Sequence, residues 1–265
     1  MRKLLTHFFW ILSVAYGKVF GRTWLAGPHQ VMLNLSLHGL GYDNCRGFSY
    51  TGEGWFITHL LKKHTQEVYL DIGANVGGYT RELVTRTAST VYAIEPSLSS
   101  FTALQKASKE FPGRIIPLQT AISDFDGVTS LFSSGPLSET ATLEKSLLHE
   151  PQLCEEIPVC TVDTLVRKLS LQHIDFIKID TEGYEREVIQ GMKETLVTLQ
   201  PKFIAFEFNI LQLYRGYTVF EMAKLLPHYD LYRLLPNGML RVHPEKFRDN
   251  IYMFSNLVAI RRDPL

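Results

Sequence analysis

Three short apolar runs in the middle of the chain restrict the fold more than any other feature. The runs YLDI (69–72), FIKI (176–179) and FIAF (203–206) contain very few polar residues, as expected of strands that are covered on both faces. The first and third are each followed by apolar residues at helical spacing, and a helical pattern begins a few residues after the second. This alternation predicts an α/β fold with a mostly parallel sheet and helices on both faces.

The parallel part of the sheet is predicted to contain five strands, separated by helices and loops. The predicted strands are Val68–Ile72, Thr90–Glu95, Arg114–Ile122, Ile174–Asp180 and Lys202–Phe208. The predicted helices cover residues 53–64, begin near Val76, follow Pro96 with Ser97 or Ser99 as cap, span about Tyr184–Leu199, and lie around Val219–Leu226.

The C-terminal part departs from this alternation. Tyr229–Leu235 and Met239–His243 flank Asn237-Gly238, a dipeptide typical of hairpin turns. Asn256–Arg261 is predicted to be a final strand. Because no helix of ordinary length separates the late strands, we expect an antiparallel insertion at one edge of the sheet.

The N-terminus is predicted to form an amphipathic helix. Behind Arg2 and Lys3, the mainly apolar run Leu4–Tyr16 has 13 residues, which is short for a membrane span of about 20 residues. Its apolar residues recur at helical spacing, so we expect the helix to pack on the domain or on another subunit. Attachment to a membrane surface is the alternative, and a cleaved signal peptide is less favoured.

Residues 23–50 are predicted to be rich in loops, with one strand where Val31, Leu33, Leu35 and Leu37 alternate with other residues. We therefore divide the chain into an N-terminal helix with its following segment, residues 1–51, and one domain, residues 52–265.

Charge and cysteine content exclude several classes of protein. The chain has 27 Lys and Arg against 27 Asp and Glu, so no global basic excess indicates a nucleic-acid partner. The three cysteines, Cys45, Cys154 and Cys160, form no C-x-x-C pair. This pattern disfavours a disulfide framework or a zinc ribbon and favours a reducing compartment such as the cytoplasm.

The turn after the first strand reads DIGANVGGYT (71–80). Ligands of open parallel sheets bind beyond the C-terminal ends of the strands. Gly73 and Gly78 fit the ends of the dinucleotide pattern G-x-G-x-x-G, but Asn75 replaces the middle glycine that lets a pyrophosphate approach the backbone. A nicotinamide or flavin dinucleotide is therefore disfavoured, whereas Asp71 suits a cationic amine.

Glu95 ends the second strand, 24 positions after Asp71. A carboxylate there can accept hydrogen bonds from both hydroxyls of a ribose, so the site is predicted to take a nucleoside that carries an amine and no diphosphate. S-adenosylmethionine is such a ligand. We expect Glu95 to be solvated when the cleft is empty; the alternative is that Glu95-Pro96 only marks the start of a helix.

A set of motifs resembles the FkbM-type methyltransferases over about Gly52–Arg261. The motifs are VYLDIGANVGGYT, IEP, TAISDFDG, VDTL, DFIKIDTEGYEREVIQG and FEFN, in this order. The resemblance implies a class I methyltransferase (Rossmann-like) fold, with a seven-stranded sheet whose last strand is antiparallel. It also implies S-adenosylmethionine as cofactor and O-methylation of a small-molecule or glycan hydroxyl, such as that of a sugar or polyketide.

The resemblance further assigns cofactor contacts to the turn after each strand. By analogy, the adenine lies beside Ala121 and Ile122 and is held mainly by backbone groups, with Asp124 as either a contact or a turn residue beside Asp126-Gly127. The cofactor-binding residues predicted in this way are Asp71, Gly73, Asn75, Gly77, Glu95, Ala121, Ile122 and Asp124.

Charged residues cluster after the fourth strand. Lys178 and Asp180 are two positions apart and share one face of the strand, and a buried lysine requires a partner. We expect Asp180 to take the proton of the acceptor hydroxyl, with Lys178 and Glu182 assisting and Glu207 as a second candidate. For Glu185, a structural role is equally expected. The same carboxylates could also hold a divalent cation, although no histidine pair has metal-binding spacing.

Residues Ser133–Glu156 carry no predicted element. A segment of this length inside a compact domain is usually functional, and we expect a mobile lid over the substrate. Two other functions stay open: a nicotinamide-dependent oxidoreductase and a cofactor-binding partner without catalysis.

Overall fold

The computed structural model describes residues 2–44, 47–61, 67–135, 137–138, 141–148 and 153–262. Within these ranges, eleven strands form two sheets. The strands are β1 (Val68–Ile72), β2 (Thr90–Ile94), β3 (Ile115–Leu118), β4 (Ala121–Ile122), β5 (Gly127–Ser133), β6 (Leu153–Cys160), β7 (Phe176–Ile179), β8 (Phe203–Phe208), β9 (Tyr229–Leu235), β10 (Gly238–Arg241) and β11 (Ser255–Arg261).

Ten α-helices and several single turns connect these strands in the described ranges. The helices are α1 (Arg2–Phe20), α2 (Ala26–Gly39), α3 (Glu53–Phe56), α4 (Gly78–Arg86), α5 (Leu98–Ser108), α6 (Val162–Leu169), α7 (Glu185–Gln190), α8 (Lys193–Thr198), α9 (Ile210–Tyr214) and α10 (Val219–Leu225). A π-helical turn, Ile57–Leu61, extends α3, in agreement with the helix predicted from residue 53.

The main sheet has the strand order β10-β9-β11-β8-β7-β1-β2-β3. Strands β3, β2, β1, β7 and β8 are parallel to one another. Strand β11 lies antiparallel between β8 and β9. The class I methyltransferase fold is confirmed, including the antiparallel insertion. The sheet has eight strands rather than seven because the hairpin at Asn237-Gly238 adds β10 to the edge.

Alternate residues of the parallel strands enter two separate cores. Leu70, Ile177 and Ile204 belong to the cluster on one face of the sheet, and Tyr69 and Phe176 belong to the cluster on the other. Because a strand has a period of two, Asp71, Lys178 and Glu207 point to the same face as Tyr69, Phe176 and Phe203. The strands are covered on both faces, as their apolar sequences predict.

A second sheet, with the order β4-β6-β5, was not predicted. The predicted strand Arg114–Ile122 is in fact two strands, β3 in the main sheet and β4 in the second. The segment Ser133–Glu156 also contains the start of β6, which pairs with β5 over seven residues. The charges of Glu155 and Glu156 and the proline at 158 hide β6, because such residues are rare in strands.

The helix predicted over Tyr184–Leu199 is interrupted between α7 and α8. A Cβ atom at Gly191 would lie 2.1 Å from the Ser123 carbonyl oxygen, so the chain must pass very close to the backbone there. Helix α9 was also missed, and it begins with a capping box in which the Asn209 side chain accepts from the Leu211 N–H at 2.7 Å.

The strand predicted around Val31–Leu37 is wrong, because these residues lie inside α2. The segment is rich in Leu and also contains Met32, and both residue types favour helix. No helix among the described residues is long and apolar enough to cross a membrane. The division at residue 51 remains a prediction, and Tyr42 and Asp43 already bond the Arg248 and Phe254 carbonyls.

Candidate active site

A cavity of about 440 Å³ opens at the C-terminal ends of β1, β2, β7 and β8. It lies at the edge where the sequence predicted the site. Its walls include nine of the predicted site residues: Gly73, Asn75, Glu95, Ala121, Ile122, Lys178, Asp180, Glu182 and Glu207. The three others, Asp71, Gly77 and Asp124, lie outside the lining of this cavity.

The turn after β1 brings the backbone at Gly73 close to the backbone at Asp180, directly after β7. Gly73 has φ +83°, and a Cβ there would lie 1.7 Å from the Asp180 carbonyl oxygen. Only glycine allows this approach. Asn75 also has a positive φ, +48°, and its buried Oδ1 has no hydrogen-bond partner among the residues that the structure describes. Gly77 has a different task, because a Cβ there would meet Leu104 Cδ1 at 2.8 Å.

Glu95 is held by backbone amides on both sides. Its Oε2 accepts from the Asn75 N–H and its Oε1 from the Ser97 N–H, both at 2.9 Å. Only 6% of the residue is exposed, so the expectation that it is solvated is wrong. Burial raises the pKa of Glu95 to about 7, although both amide bonds act in the opposite direction. The carboxylate both organises the start of α5 and faces the cavity.

A second carboxylate completes the N-terminus of α5. Ser97 occupies the capping position, but its side chain accepts no hydrogen bond from a described backbone N–H of the first turn. Instead, Glu155 on β6 accepts from the Leu98 N–H at 3.1 Å and from Ser97 Oγ at 3.2 Å. The second sheet is thereby attached to the segment that carries Glu95.

Asp71 lies beneath the glycine turn rather than in the cavity. Its Oδ2 accepts from the Thr80 hydroxyl at 2.5 Å, whereas its buried Oδ1 has no partner in the described part of the chain. Burial raises the pKa of Asp71, with Lys178 acting in the opposite direction. The position of Asp71 in β1 directs its side chain toward α4. Its bond to Thr80 of α4 therefore supports the glycine turn from beneath.

Lys178 and Asp180 form an ion pair at the opposite end of the cavity. Lys178 Nζ lies 2.7 Å from Asp180 Oδ2, with 10% and 33% of the two side chains exposed. The ammonium also lies 4.8 Å from the centre of the Tyr79 ring. Burial lowers the pKa of Lys178, but the carboxylates of Asp180, Asp71 and Glu53 outweigh it and raise the pKa above its usual value. Lys178 is thus held as a cation.

Glu207 and Glu182 face the same part of the cavity. Burial, together with the negative charges of Asp180 and Glu182, raises the pKa of Glu207 well above its usual value. The Asn209 amide donates to Glu207 Oε1. Glu182 has φ +51°, and its carbonyl oxygen accepts from Thr142 Oγ1 at 3.0 Å.

Glu185 has the structural role that the sequence left open. Its Oε1 accepts from the amides of Thr181 and Gly183 at 3.0 and 3.2 Å, and its Oε2 accepts from Gln212 at 2.7 Å. These bonds fix the turn between β7 and α7, which presents Glu182. Asp124 is exposed and accepts from the hydroxyl of its neighbour Ser123, whereas Asp126 accepts from the Thr161 N–H and the Thr164 hydroxyl at the start of α6.

Part of the predicted lid lines the cavity. Ser138 and residues 141–143 contribute to the wall, and Thr142 is bridged to Phe132 by two 2.9 Å bonds. Glu144 binds Arg215 at 3.1 Å. Residues 136, 139–140 and 149–152 of this segment lie outside the described residues, and its mobility remains a prediction. Sequence reasoning missed Tyr184 as a wall residue although it lies within the motif DFIKIDTEGYEREVIQG, and it placed Thr142 only within the predicted lid.

The donor set fits S-adenosylmethionine. A volume of about 440 Å³ lies within the usual range for small-ligand sites. Glu95 presents carboxylate oxygens to the cavity, the backbone at Gly73 carries no Cβ, and Asn75 Oδ1 is a buried acceptor without a partner among the described residues. In the part of the chain that is described, no group of three His, Cys, Asp or Glu residues could hold a metal ion.

The chain is similar to several known methyltransferases. A model of the methyltransferase FkbM domain matches residues 71–234. The hexuronic acid methyltransferase AglP of Haloferax volcanii is 29% identical over 183 residues, which are 68% of this chain and 70% of that protein. The 2-O-methyltransferase NoeI of Sinorhizobium fredii is 28% identical over 198 residues, 69% of this chain and 80% of that protein. Aeropyrum pernix fibrillarin, solved with bound S-adenosylmethionine, superposes with a TM-score of 0.42 and 9% identity, covering 78% of this chain and 73% of its own.

Proposed function

The chain belongs to the FkbM methyltransferase family, and we propose that this S-adenosylmethionine-dependent enzyme methylates a hydroxyl group of a sugar or glycan. Similarity to a hexuronic acid methyltransferase supports a sugar acceptor, and similarity to a 2-O-methyltransferase supports transfer to an oxygen atom. Family membership argues against the nicotinamide-dependent and non-catalytic alternatives.

The observation that carries the proposal is the ion pair of Lys178 and Asp180 in the cavity wall, opposite Glu95. When bound, S-adenosylmethionine supplies a methyl group on a positively charged sulfur, which is already activated for transfer. The chain must therefore bind the cofactor, align the acceptor oxygen, exclude water and accept a proton. Glu95 is proposed to bind the ribose, and Asp180 to accept the proton of the acceptor hydroxyl.

The neighbours of Asp180 are proposed to support this role. Lys178 remains charged and fixes the carboxylate through its 2.7 Å bond. Glu207 has a raised pKa, which favours its protonated form, so we propose that it donates a hydrogen bond to the acceptor. Glu182 adds negative charge on the same side, which disfavours ionisation of Glu207.

The test is direct detection of the methylated product. The full chain is incubated with labelled S-adenosylmethionine in three separate reactions. The acceptor is a uronic acid glycoside in the first, a neutral hexose glycoside in the second and a glycan extract in the third. We expect label on a sugar oxygen, located by mass spectrometry, and labelling that is about 10²–10⁴-fold slower with Asp180→Asn. Labelling of nitrogen or carbon, or equal labelling with the variant, would contradict the proposal.

We also propose that the reaction takes place in the cytoplasm. Cys154 and Cys160 are free thiols, which suits a reducing compartment. Fractionation of cells that express the full chain checks this, and recovery from a secreted fraction would contradict it.

A further inference from the structure

The N-terminal arm, defined here as residues 2–40, exposes an unusual amount of apolar surface. Among its described side chains, between residues 7 and 40, only Leu37 is buried. Phe8 is 62% exposed, Val19 59%, Trp24 76% and Leu35 67%. Single exposed apolar residues are ordinary, but a continuous apolar surface of this extent marks an interaction site.

The exposed apolar residues of α1 form a wide face. Trp10, Ile11 and Leu12 are consecutive, and each is about half exposed or more, at 62%, 49% and 50%. Successive residues of a helix point about 100° apart, so Ile11 and Leu12 share one half of the circumference. Ser13 and Gly17 fall in the other half together with Trp10, and α1 therefore keeps the predicted amphipathic pattern with a wide apolar face. A helix of this kind suits a membrane interface, with its apolar face toward the acyl chains.

The charge of the arm indicates which lipid surface it fits. Arg2, Lys3, Lys18 and Arg22 lie within residues 1–42, and none of the 27 acidic residues of the chain does. The rest of the chain therefore carries an acidic excess, while the arm is purely basic. Trp10, Tyr16 and Trp24 combine an apolar ring with a polar atom, the kind of side chain that is enriched where hydrocarbon meets water.

We propose that the N-terminal arm binds the surface of an anionic phospholipid membrane, with its apolar side chains in one leaflet and its basic side chains among the headgroups. This proposal concerns where the enzyme works and is independent of its acceptor. It also agrees with the finding that no described helix is long and apolar enough to cross a membrane.

Residues 42–43, just after the arm, are fixed to the domain beside the cavity. The Asp43 N–H donates to the Phe254 carbonyl at 2.7 Å, and Phe254 lines the cavity. Tyr42 is 1% exposed, its hydroxyl accepts from Arg233 at 2.6 Å, and the Arg233 guanidinium lies 3.7 Å from the centre of its ring. A membrane bound to the arm is thus held near the mouth of the active site.

The test is flotation of the full chain with vesicles. One set contains phosphatidylcholine alone, and the other contains equal parts of phosphatidylcholine and phosphatidylserine. We expect strong flotation only with the anionic set, and about fivefold weaker partitioning for each arm charge removed. The double variant Lys18→Gln/Arg22→Gln should therefore partition roughly 30-fold more weakly.

A matched control distinguishes binding by the arm from a general electrostatic attraction of the chain to the vesicles. Lys106→Gln/Lys109→Gln removes the same charge from exposed positions at the end of α5 and should float like the wild type.

Trp55→Phe leaves Trp10 and Trp24 as the only tryptophans, and brominated lipids should quench their fluorescence.

Several outcomes would overturn the proposal. They are equal flotation with neutral and anionic vesicles, equal loss in the control pair, and absence of quenching. A stable dimer that buries the arm and does not float, measured by analytical ultracentrifugation, would assign the arm to a second copy instead. Binding of S-adenosylhomocysteine should be unchanged in every variant, which shows that the domain is folded and keeps this test separate from the methylation assay.

Discussion

The two ends of the cavity hold their carboxylates by different means. At the β1–β2 end, Glu95 is held by the backbone amides of Asn75 and Ser97. At the β7–β8 end, Asp180 is held by the side-chain ammonium of Lys178. The first end depends on the shape of a turn, whereas the second depends on a balance of buried charges. We therefore expect changes at the first end to alter cofactor affinity, and changes at the second to alter turnover.

Asp180→Asn tests the second end and has the largest expected effect. The amide keeps the volume but cannot take a proton, and loss of a general base typically lowers the rate by about 10²–10⁴-fold. We expect kcat to fall within this range, while the Kd for S-adenosylhomocysteine changes by less than about threefold. Kinetics and calorimetry on the same preparation measure both quantities.

Asp124→Asn is the matched control, since it makes the same chemical change at an exposed aspartate outside the cavity wall. It should leave kcat unchanged. If Asp180→Asn retains full turnover, or if it loses cofactor affinity instead, the proposed difference between the two ends is wrong.

Gly73→Ala is expected to affect both ends of the cavity. The added Cβ would lie 1.7 Å from the Asp180 carbonyl oxygen, and residue 73 has a φ of +83°. Backbone strain of this kind costs roughly 1–3 kcal/mol before the clash is relieved. We expect a clearly lower melting temperature and loss of both cofactor binding and turnover.

Gly78→Ala provides the comparison within the same turn. Apart from its chain neighbours and the backbone of α4, no described atom lies within 4 Å of a Cβ at Gly78, and its φ is not in the left-handed region. The free energy of unfolding should change by less than about 0.5 kcal/mol. Similar damage from both substitutions would mean that the close approach to Asp180 is not what makes Gly73 necessary.

Glu95→Gln tests the first end. The amide retains one acceptor oxygen but loses the charge, so we expect S-adenosylhomocysteine to bind roughly ten- to thirtyfold more weakly. Glu95→Ala is less informative, because it also leaves the amides of Asn75 and Ser97 without acceptors and should destabilise the fold. Calorimetric titration beside thermal melts distinguishes the two effects, and unchanged affinity of the Gln variant would remove Glu95 from the cofactor site.

The sequence predicted the main sheet and the location of the site because both depend on short local patterns. The run YLDI, the glycine turn and Glu95 occur within one strand-turn-helix-strand unit, so their proximity follows from the local sequence. The second sheet and Thr142 were missed because their contacts are distant in sequence: Thr142 is bridged to Phe132 and bonds the Glu182 carbonyl. The burial of Glu95 was also unpredictable, since Glu155 on β6 and the turn at Asn75 enclose it together.

The smallest expected effect is the pH dependence of cofactor binding at the first end. Burial raises the pKa of Glu95 to about 7, and the ribose hydroxyls donate to the ionised carboxylate. Affinity for S-adenosylhomocysteine should therefore fall by about tenfold between pH 8 and pH 6, as expected for one protonation. In Glu95→Gln, the corresponding change should disappear, so the ratio of the two affinities isolates Glu95 from the titration of the ligand.

Stability should change with pH in the opposite sense. A carboxyl whose folded pKa lies above its unfolded value favours the folded state at low pH, and this contribution is lost as pH rises through about 7. The melting temperature of the wild type, relative to Glu95→Gln, should therefore decrease from pH 5 to pH 8, while its relative affinity for the cofactor increases. A relative melting temperature that does not change over this interval would mean that Glu95 is ionised throughout. The amides of Asn75 and Ser97 would then outweigh burial, and the first end would hold a permanent charge like the second.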